Sequence, residues 1–269
     1  MSARKRVVGS IASPRRPLIA AHRGSGLLWT ENSLAAFRNV LVLGADCLEL
    51  DVHLTRDGEL AVIHDPMLDR TTTGHGAVGE KSWAQLRRCV LTGTAREHIP
   101  RLGEVLELLR KTDAGLFIEV KTGPHRRRYA GIEKTLVRAI DEAWLADRVT
   151  ITAFEWDTLE RVQRLTGNLR LAGVLSRRRA RALGGVGGAL RRLLGLVKAT
   201  DLAIEHTLLS EETPGLVHEA GLALGVWTPN SRDALARVLA AGPDWVITDR
   251  PDVALELRAG ITMRAGLGT

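Results

Sequence analysis

Short apolar, β-branched runs recur along the whole chain with helix-patterned segments between them, and this alternation restricts the fold more than any other feature. The runs are Leu18 to Ala21, Leu48 to Leu54, Leu116 to Val120, Val149 to Ala153, Leu171 to Leu175, Leu202 to Glu205, Leu222 to Trp227 and Trp245 to Thr248. No glycine-rich dinucleotide loop follows the first, so the eight strands fit a closed (β/α)8 TIM barrel better than an open doubly wound sheet. A further run, Leu60 to Ile63, follows the second strand through Arg56-Asp57-Gly58-Glu59, where the Asp-Gly pair predicts a tight hairpin. The segment from there to the third strand, about 65–115, is too long for an ordinary loop and predicts an insertion at the barrel mouth, with helices beginning near Ser82 and Leu102. A Gly- and Arg-rich stretch, Ser176 to Lys198, predicts a second elaboration. With neither repeat nor linker, residues 1–269 read as a single domain.

Nothing in the chain approaches the uninterrupted apolar length of a membrane-spanning helix, and Met1 to Pro17 passes from basic residues to prolines without an apolar segment. Cys47 and Cys89 lack zinc-type or redox-type spacing and predict two buried, reduced thiols. Both features predict a cytoplasmic protein. A net charge of +7 suits an anionic partner. Much of the excess lies in Arg126-Arg127-Arg128 and in Arg177-Arg178-Arg179-Ala180-Arg181. Solvated faces are the ordinary reading of such runs, and weak contact with an anionic membrane is the functional one. No aromatic residues interleave with the arginines, which disfavours nucleic acid.

In a barrel the site gathers where strands end. Here those ends are polar: His22-Arg23-Gly24 after the first strand, Glu49-Leu50-Asp51-Val52-His53 in the second, His64-Asp65 after the hairpin and Glu119-Val120-Lys121 in the third. Period two puts Glu49, Asp51 and His53 on one face of the second strand and Leu48, Leu50, Val52 and Leu54 on the other. The helices need the apolar face, so the carboxylates enter the lumen, where unpaired charge would cost several kcal/mol each. A divalent cation is an economical partner. With Glu119 as a third oxygen ligand and no Cys or paired-His spacing, the set suits one hard cation, Mg²⁺ or Ca²⁺, over zinc. Arg23 and Lys121 beside it suit a phosphate, and His22 and His64 form a pair able to accept and donate protons near neutral pH. Ser33 reads as a helix N-cap, while Asn32 is placed either to cap or to hold a phosphate oxygen. Trp227 ends a strand and could serve as a platform for an apolar or glycerol group. His53, His75 and the remaining histidines show no companions and read as structural or surface residues.

These residues resemble, in order and over nearly the whole chain, the glycerophosphodiester phosphodiesterases. The match comprises His22-Arg23-Gly24, Glu31-Asn32, Glu49-Leu50-Asp51-Val52, Thr55-Arg56-Asp57-Gly58, His64-Asp65 with Asp69-Arg70-Thr71-Thr72, Ile99-Pro100-Arg101-Leu102, Glu119-Val120-Lys121, Val226-Trp227-Thr228 and Ile247-Thr248-Asp249-Arg250-Pro251. The resemblance implies a barrel with a small insertion, a divalent ion on Glu49, Asp51 and Glu119, and His22 and His64 as the acid/base pair. It also implies a small-molecule substrate, a glycerophosphodiester cleaved to glycerol 3-phosphate and an alcohol. The pattern departs from the family at Thr30, where proline usually precedes Glu-Asn, at Ala153-Phe154 in place of Ser-Phe, and at Pro229 after Trp-Thr. These departures bear on loop shape and leaving-group preference. Related barrels cleave lysophospholipids or sphingomyelin, so a lysophospholipase D acting at a membrane is the alternative. A non-catalytic phosphate-binding barrel would lack a ligand or a histidine, and this chain lacks none.

Overall fold

A computed structural model describes residues 16–94 and 96–266. The reading of Met1 to Pro17 as lacking an apolar leader rests on residues 1–15, which lie outside the described residues. Among those described, no helix is long and apolar enough to cross a membrane.

Nine strands form one sheet: β1 (Leu18–Ala21), β2 (Cys47–Leu54), β3 (Leu60–Val62), β4 (Gly115–Val120), β5 (Val149–Ala153), β6 (Arg170–Leu175), β7 (Asp201–Glu205), β8 (Ala223–Trp227) and β9 (Trp245–Thr248). All but β3 run parallel to their neighbours, and β1 pairs with both β9 and β2, which closes an eight-stranded (β/α)8 barrel. β3 is the expected hairpin partner, antiparallel to β2 with Val52 opposite Val62.

The alternation inferred for β2 governs the packing. Leu48, Leu50 and Val52 join the large core between sheet and helices, whereas Cys47 joins Ala20, Phe117, Ala172, Val174, Ala203, Trp245 and Ile247 in a small lumen cluster. The bulk of Trp245 there requires Gly225, since a Cβ at that position would stand 2.1 Å from the indole. Asp201 closes the floor, accepting from Trp245 Nε1 at 3.0 Å and from Arg170 at 2.7 Å.

The helices are α1 (Leu34–Leu43), α2 (Trp83–Leu86), α3 (Leu102–Leu109), α4 (Ile132–Ala143), α5 (Trp156–Leu165), α6 (Arg177–Ala182), α7 (Gly185–Leu194), α8 (Thr213–Glu219), α9 (Arg232–Ala240) and α10 (Pro251–Gly266). One boundary differs from expectation. Leu102, Val105, Leu106 and Leu109 of α3 are buried in the main core, so α3 belongs to the outer ring and the elaboration after the hairpin is shorter than 65–115. It has its own apolar cluster, including Leu68, Val78, Trp83, Leu86 and Leu91, continuous with Ala61 and Ile63 of the hairpin. Ser176 to Lys198 folds as α6 and α7, with Ala189, Leu190 and Leu193 buried on the barrel. The thiols are both free, but only Cys47 is buried; Cys89 is half-buried because it lies at the edge of the inserted segment.

The basic runs are partly committed. Arg126 pairs with Glu155 and Arg128 with Glu133, while the Arg179 guanidinium lies 4.0 Å over the Trp156 ring and donates to the Phe154 carbonyl.

Candidate active site

Beyond Ala21 the chain turns tightly through His22-Arg23-Gly24, and Gly24 is required there twice over. Its φ is +75°, and a Cβ would lie 2.9 Å from the Cβ of Ala36 in α1. This turn points the Arg23 amide at Glu49 Oε2, 2.8 Å away, and so locks the loop after β1 to β2. Ser33 caps α1 as expected, its Oγ accepting from the Ala36 amide at 3.1 Å. Asn32, just before it, adopts a left-handed φ of 55° and is buried, with Nδ2 donating to Asp51 Oδ2 at 3.0 Å. Asn32 is therefore free of capping.

Glu49 and Asp51 are buried on the lumen face of β2, and Glu119 stands opposite Asp51 in the β2–β4 register. One oxygen from each of the three carboxylates lies within 4.8 Å of the others. Lys121 Nζ sits among them, 2.5 Å from Glu119 Oε1 and 2.9 Å from Asp51 Oδ1. The latter contact is an ion pair without hydrogen-bond alignment, so Asp51 Oδ1 remains a buried acceptor with no hydrogen bond, as does Asn32 Oδ1. Arg23 Nε stands 3.4 Å from Asp51 Oδ2, also unaligned. An all-oxygen donor set with unsatisfied buried acceptors fits a hard divalent cation. Burial and the adjacent Asp51 push the Glu49 carboxyl up to about 7. Burial acts the same way on Asp51, but Lys121 and Arg23 outweigh it and hold Asp51 well below the usual carboxylate range.

The two histidines are mounted alike. His22 Nδ1 donates to Asp249 Oδ1 at 2.9 Å, and His64 Nδ1 donates to Asp65 Oδ1 at 2.6 Å. Neither Nε2 has a hydrogen-bond partner among the described residues, so both are free to meet a ligand. Asp249 is itself fixed: its Oδ2 accepts from Asn230 Nδ2 at 2.8 Å and its amide donates to Asn230 Oδ1 at 2.9 Å. Burial lowers the His22 pKa, but the Asp249 hydrogen bond and the charge of Glu49 outweigh it, leaving His22 above its ordinary value. His64 falls below its ordinary value, through burial and the nearby cations Lys121 and Arg23.

His53 is not companionless. It is fully buried, with Nε2 donating to the His64 carbonyl at 2.9 Å and Nδ1 accepting from Tyr129 Oη at 2.9 Å. It thus braces the backbone that carries His64, and burial pushes its pKa down to about 4.

Trp227 ends β8 and packs against the lumen cluster beside Phe154. Its Nε1 donates to the Ala203 carbonyl at 3.2 Å, and its ring meets Phe154 edge-on with centroids 5.5 Å apart. A cleft of about 400 Å³ runs from His64, Glu119 and Lys121 past Phe154 to Arg126 and Glu155.

Asp65, Asp249, Asn230 and Tyr129 were not singled out as site residues from sequence. Asp249 directly follows a strand, so the rule that found His22 could have found it. Tyr129 carries no such mark.

The sequence profile of the Glycerophosphoryl diester phosphodiesterase family matches residues 22–253. A glycerophosphodiester phosphodiesterase of Caldanaerobacter subterraneus subsp. tengcongensis is 34% identical over 256 residues, covering 90% of this chain and 98% of its own. A solved glycerophosphodiester phosphodiesterase of Agrobacterium tumefaciens superposes with a TM-score of 0.71 at 26% identity, covering 88% of this chain and 98% of its own. An Oleispira antarctica phosphodiesterase, solved with the product sn-glycerol-3-phosphate, shares the fold with a TM-score of 0.76 at 24% identity, covering 90% and 96% of the two chains.

Proposed function

This chain belongs to the glycerophosphoryl diester phosphodiesterase family, and from that premise we propose that it hydrolyses glycerophosphodiesters to glycerol 3-phosphate and an alcohol, with His22 and His64 moving the protons. The observation that carries the reading is the pair of Asp-anchored histidines, each with Nε2 unengaged, beside three clustered carboxylates and two half-buried cationic side chains, Arg23 and Lys121.

Arg23 and Lys121 bind the phosphoryl oxygens, and Asn32 steadies the group from the β1 side. The glycerol hydroxyl next to the ester attacks phosphorus. One histidine takes its proton at Nε2, the other gives a proton to the departing alcohol oxygen, and water then opens the cyclic phosphate. Glu49, Asp51 and Glu119 would hold one divalent cation, Mg²⁺ or Ca²⁺, which supplies Lewis-acid stabilisation of charge on the phosphoryl oxygens. Trp227 and Phe154 form an aromatic wall for the glycerol or alcohol portion.

The test is release of glycerol 3-phosphate from glycerophosphocholine and glycerophosphoethanolamine after EDTA treatment and again with Mg²⁺ or Ca²⁺ restored. His22→Ala and His64→Ala should each lose on the order of 10²-fold in turnover. Near-normal turnover in either variant removes that histidine from the mechanism.

One observation favours a second reading, a lipid phosphodiesterase working at a membrane. Leu27 is 62% exposed and Leu28 is 39% exposed, in the loop between His22 and Glu31. Cleavage of lysophospholipid with salt-sensitive binding to anionic vesicles, and none of glycerophosphocholine, would select it.

A further inference from the structure

We propose that Arg70, carried by the inserted segment, is a positioning residue for His64 that acts through Asp65. The inference rests on the reading of His64 as a proton carrier. Arg70 Nε donates to Asp65 Oδ2 at 2.5 Å, and the other oxygen of that carboxylate accepts from His64 Nδ1 at 2.6 Å. The far edge of the same guanidinium forks onto Glu31, with 2.9 Å from Nη1 to Oε2 and 2.8 Å from Nη2 to Oε1. Glu31 in turn accepts from Arg23 Nη1 at 3.4 Å. A continuous chain, Arg23–Glu31–Arg70–Asp65–His64, therefore joins a phosphate-binding arginine to a histidine across the mouth.

Stability does not account for this arrangement. The Arg70 side chain is 48% exposed, so solvent and salt screen its ion pairs and limit what even a forked network adds to folding. Geometry does account for it. A planar, always-charged fork fixes the orientation of both carboxylates, and an oriented Asp65 holds the His64 ring with Nε2 toward the ligand. An ammonium in place of the fork could meet one carboxylate but could not orient two.

The experiment is a mutant cycle on the full chain with divalent cation present, measuring kcat and KM for glycerophosphocholine in His64→Ala, Asp65→Asn, Arg70→Gln, Arg70→Lys and the double variant Asp65→Asn/Arg70→Gln. Arg70→Gln should lower kcat about tenfold or more, with KM within about twofold and an unchanged thermal midpoint, and Arg70→Lys should recover part of the loss. The double variant should be no slower than Asp65→Asn alone, since the two residues act in series. Losses that multiply would overturn the inference, as would a loss confined to KM, which would place Arg70 on the substrate. Near-normal turnover of His64→Ala would instead overturn the reading beneath it. An inactive His64→Ala alongside multiplying losses separates the two failures.

Discussion

Asp249 does for His22 what Asp65 does for His64, but with a different support. Where Asp65 leans on an exposed arginine, Asp249 is gripped through both its carboxylate and its amide by Asn230, and its carbonyl accepts from Ser25 Oγ at 2.6 Å. A carboxylate so fixed sets the tautomer and angle of the imidazole. Asp249→Asn should therefore lower kcat by about 10- to 100-fold with little change in the thermal midpoint, and steady-state turnover beside a melting curve checks both. A parallel loss of stability would mean that the residue holds the fold rather than the ring. At this scale the sequence was most legible where a polar residue lies on the inner face of a strand or just beyond its end: Glu49, Asp51 and Glu119 within β2 and β4, and His22, His64 and Lys121 beyond strand ends, all come together. Arg70, Tyr129 and Asn230 lie in loops, and which loop crosses which is decided by tertiary packing, to which local pattern is blind.

Between elements, the end of β2 is where the hairpin, the inserted segment and the loop after β4 are joined, and His53 is the joint. Its buried ring is neutral in the folded chain, with a pKa near 4, while in the unfolded chain it titrates near 6.5. The folded-state value is the lower one, so the unfolded chain binds the extra proton between these limits. Stability is then complete above about pH 6.5 and declines as pH falls toward 4. The full span amounts to about 3 kcal/mol. Urea midpoints measured in EDTA from pH 7.5 to pH 4 should fall more steeply for the wild-type chain than for His53→Gln, and equal slopes would remove His53 as the cause. The hairpin itself was readable from Asp57-Gly58, because the turn is a local matter, and Gly58 has a φ of +86°. The extent of the insertion was not, because a ring helix and an inserted helix have the same periodicity. Only the burial of Leu102, Val105, Leu106 and Leu109 in the main core separates α3 from the short α2 before it.

For the whole barrel, the cost of the site is concentrated in three lumen carboxylates faced by Arg23 and Lys121. Glu49 is the least compensated, since its carboxylate accepts from a backbone amide, that of Arg23, and its neighbour is Asp51. Function and stability pull in opposite directions there. Glu49→Gln keeps the shape and the acceptor for Arg23 while removing one repelling charge, so without divalent cation at pH 8 the variant should melt no lower than the wild-type chain. Adding cation to the wild-type chain should raise the melting point, because binding to the folded state alone contributes about 2.7 kcal/mol at a hundredfold excess over Kd. In a barrel of this size that amounts to a rise of roughly 5–10 °C. The variant should show little of the rise, since a neutral amide replaces a charged ligand. Melting curves of both proteins in EDTA and then in Mg²⁺ or Ca²⁺ give four numbers. A wild-type rise that survives in Glu49→Gln would move the cation away from this cluster, whereas a rise lost together with turnover would tie the closed barrel, the carboxylates of β2 and β4 and the reaction to one ion.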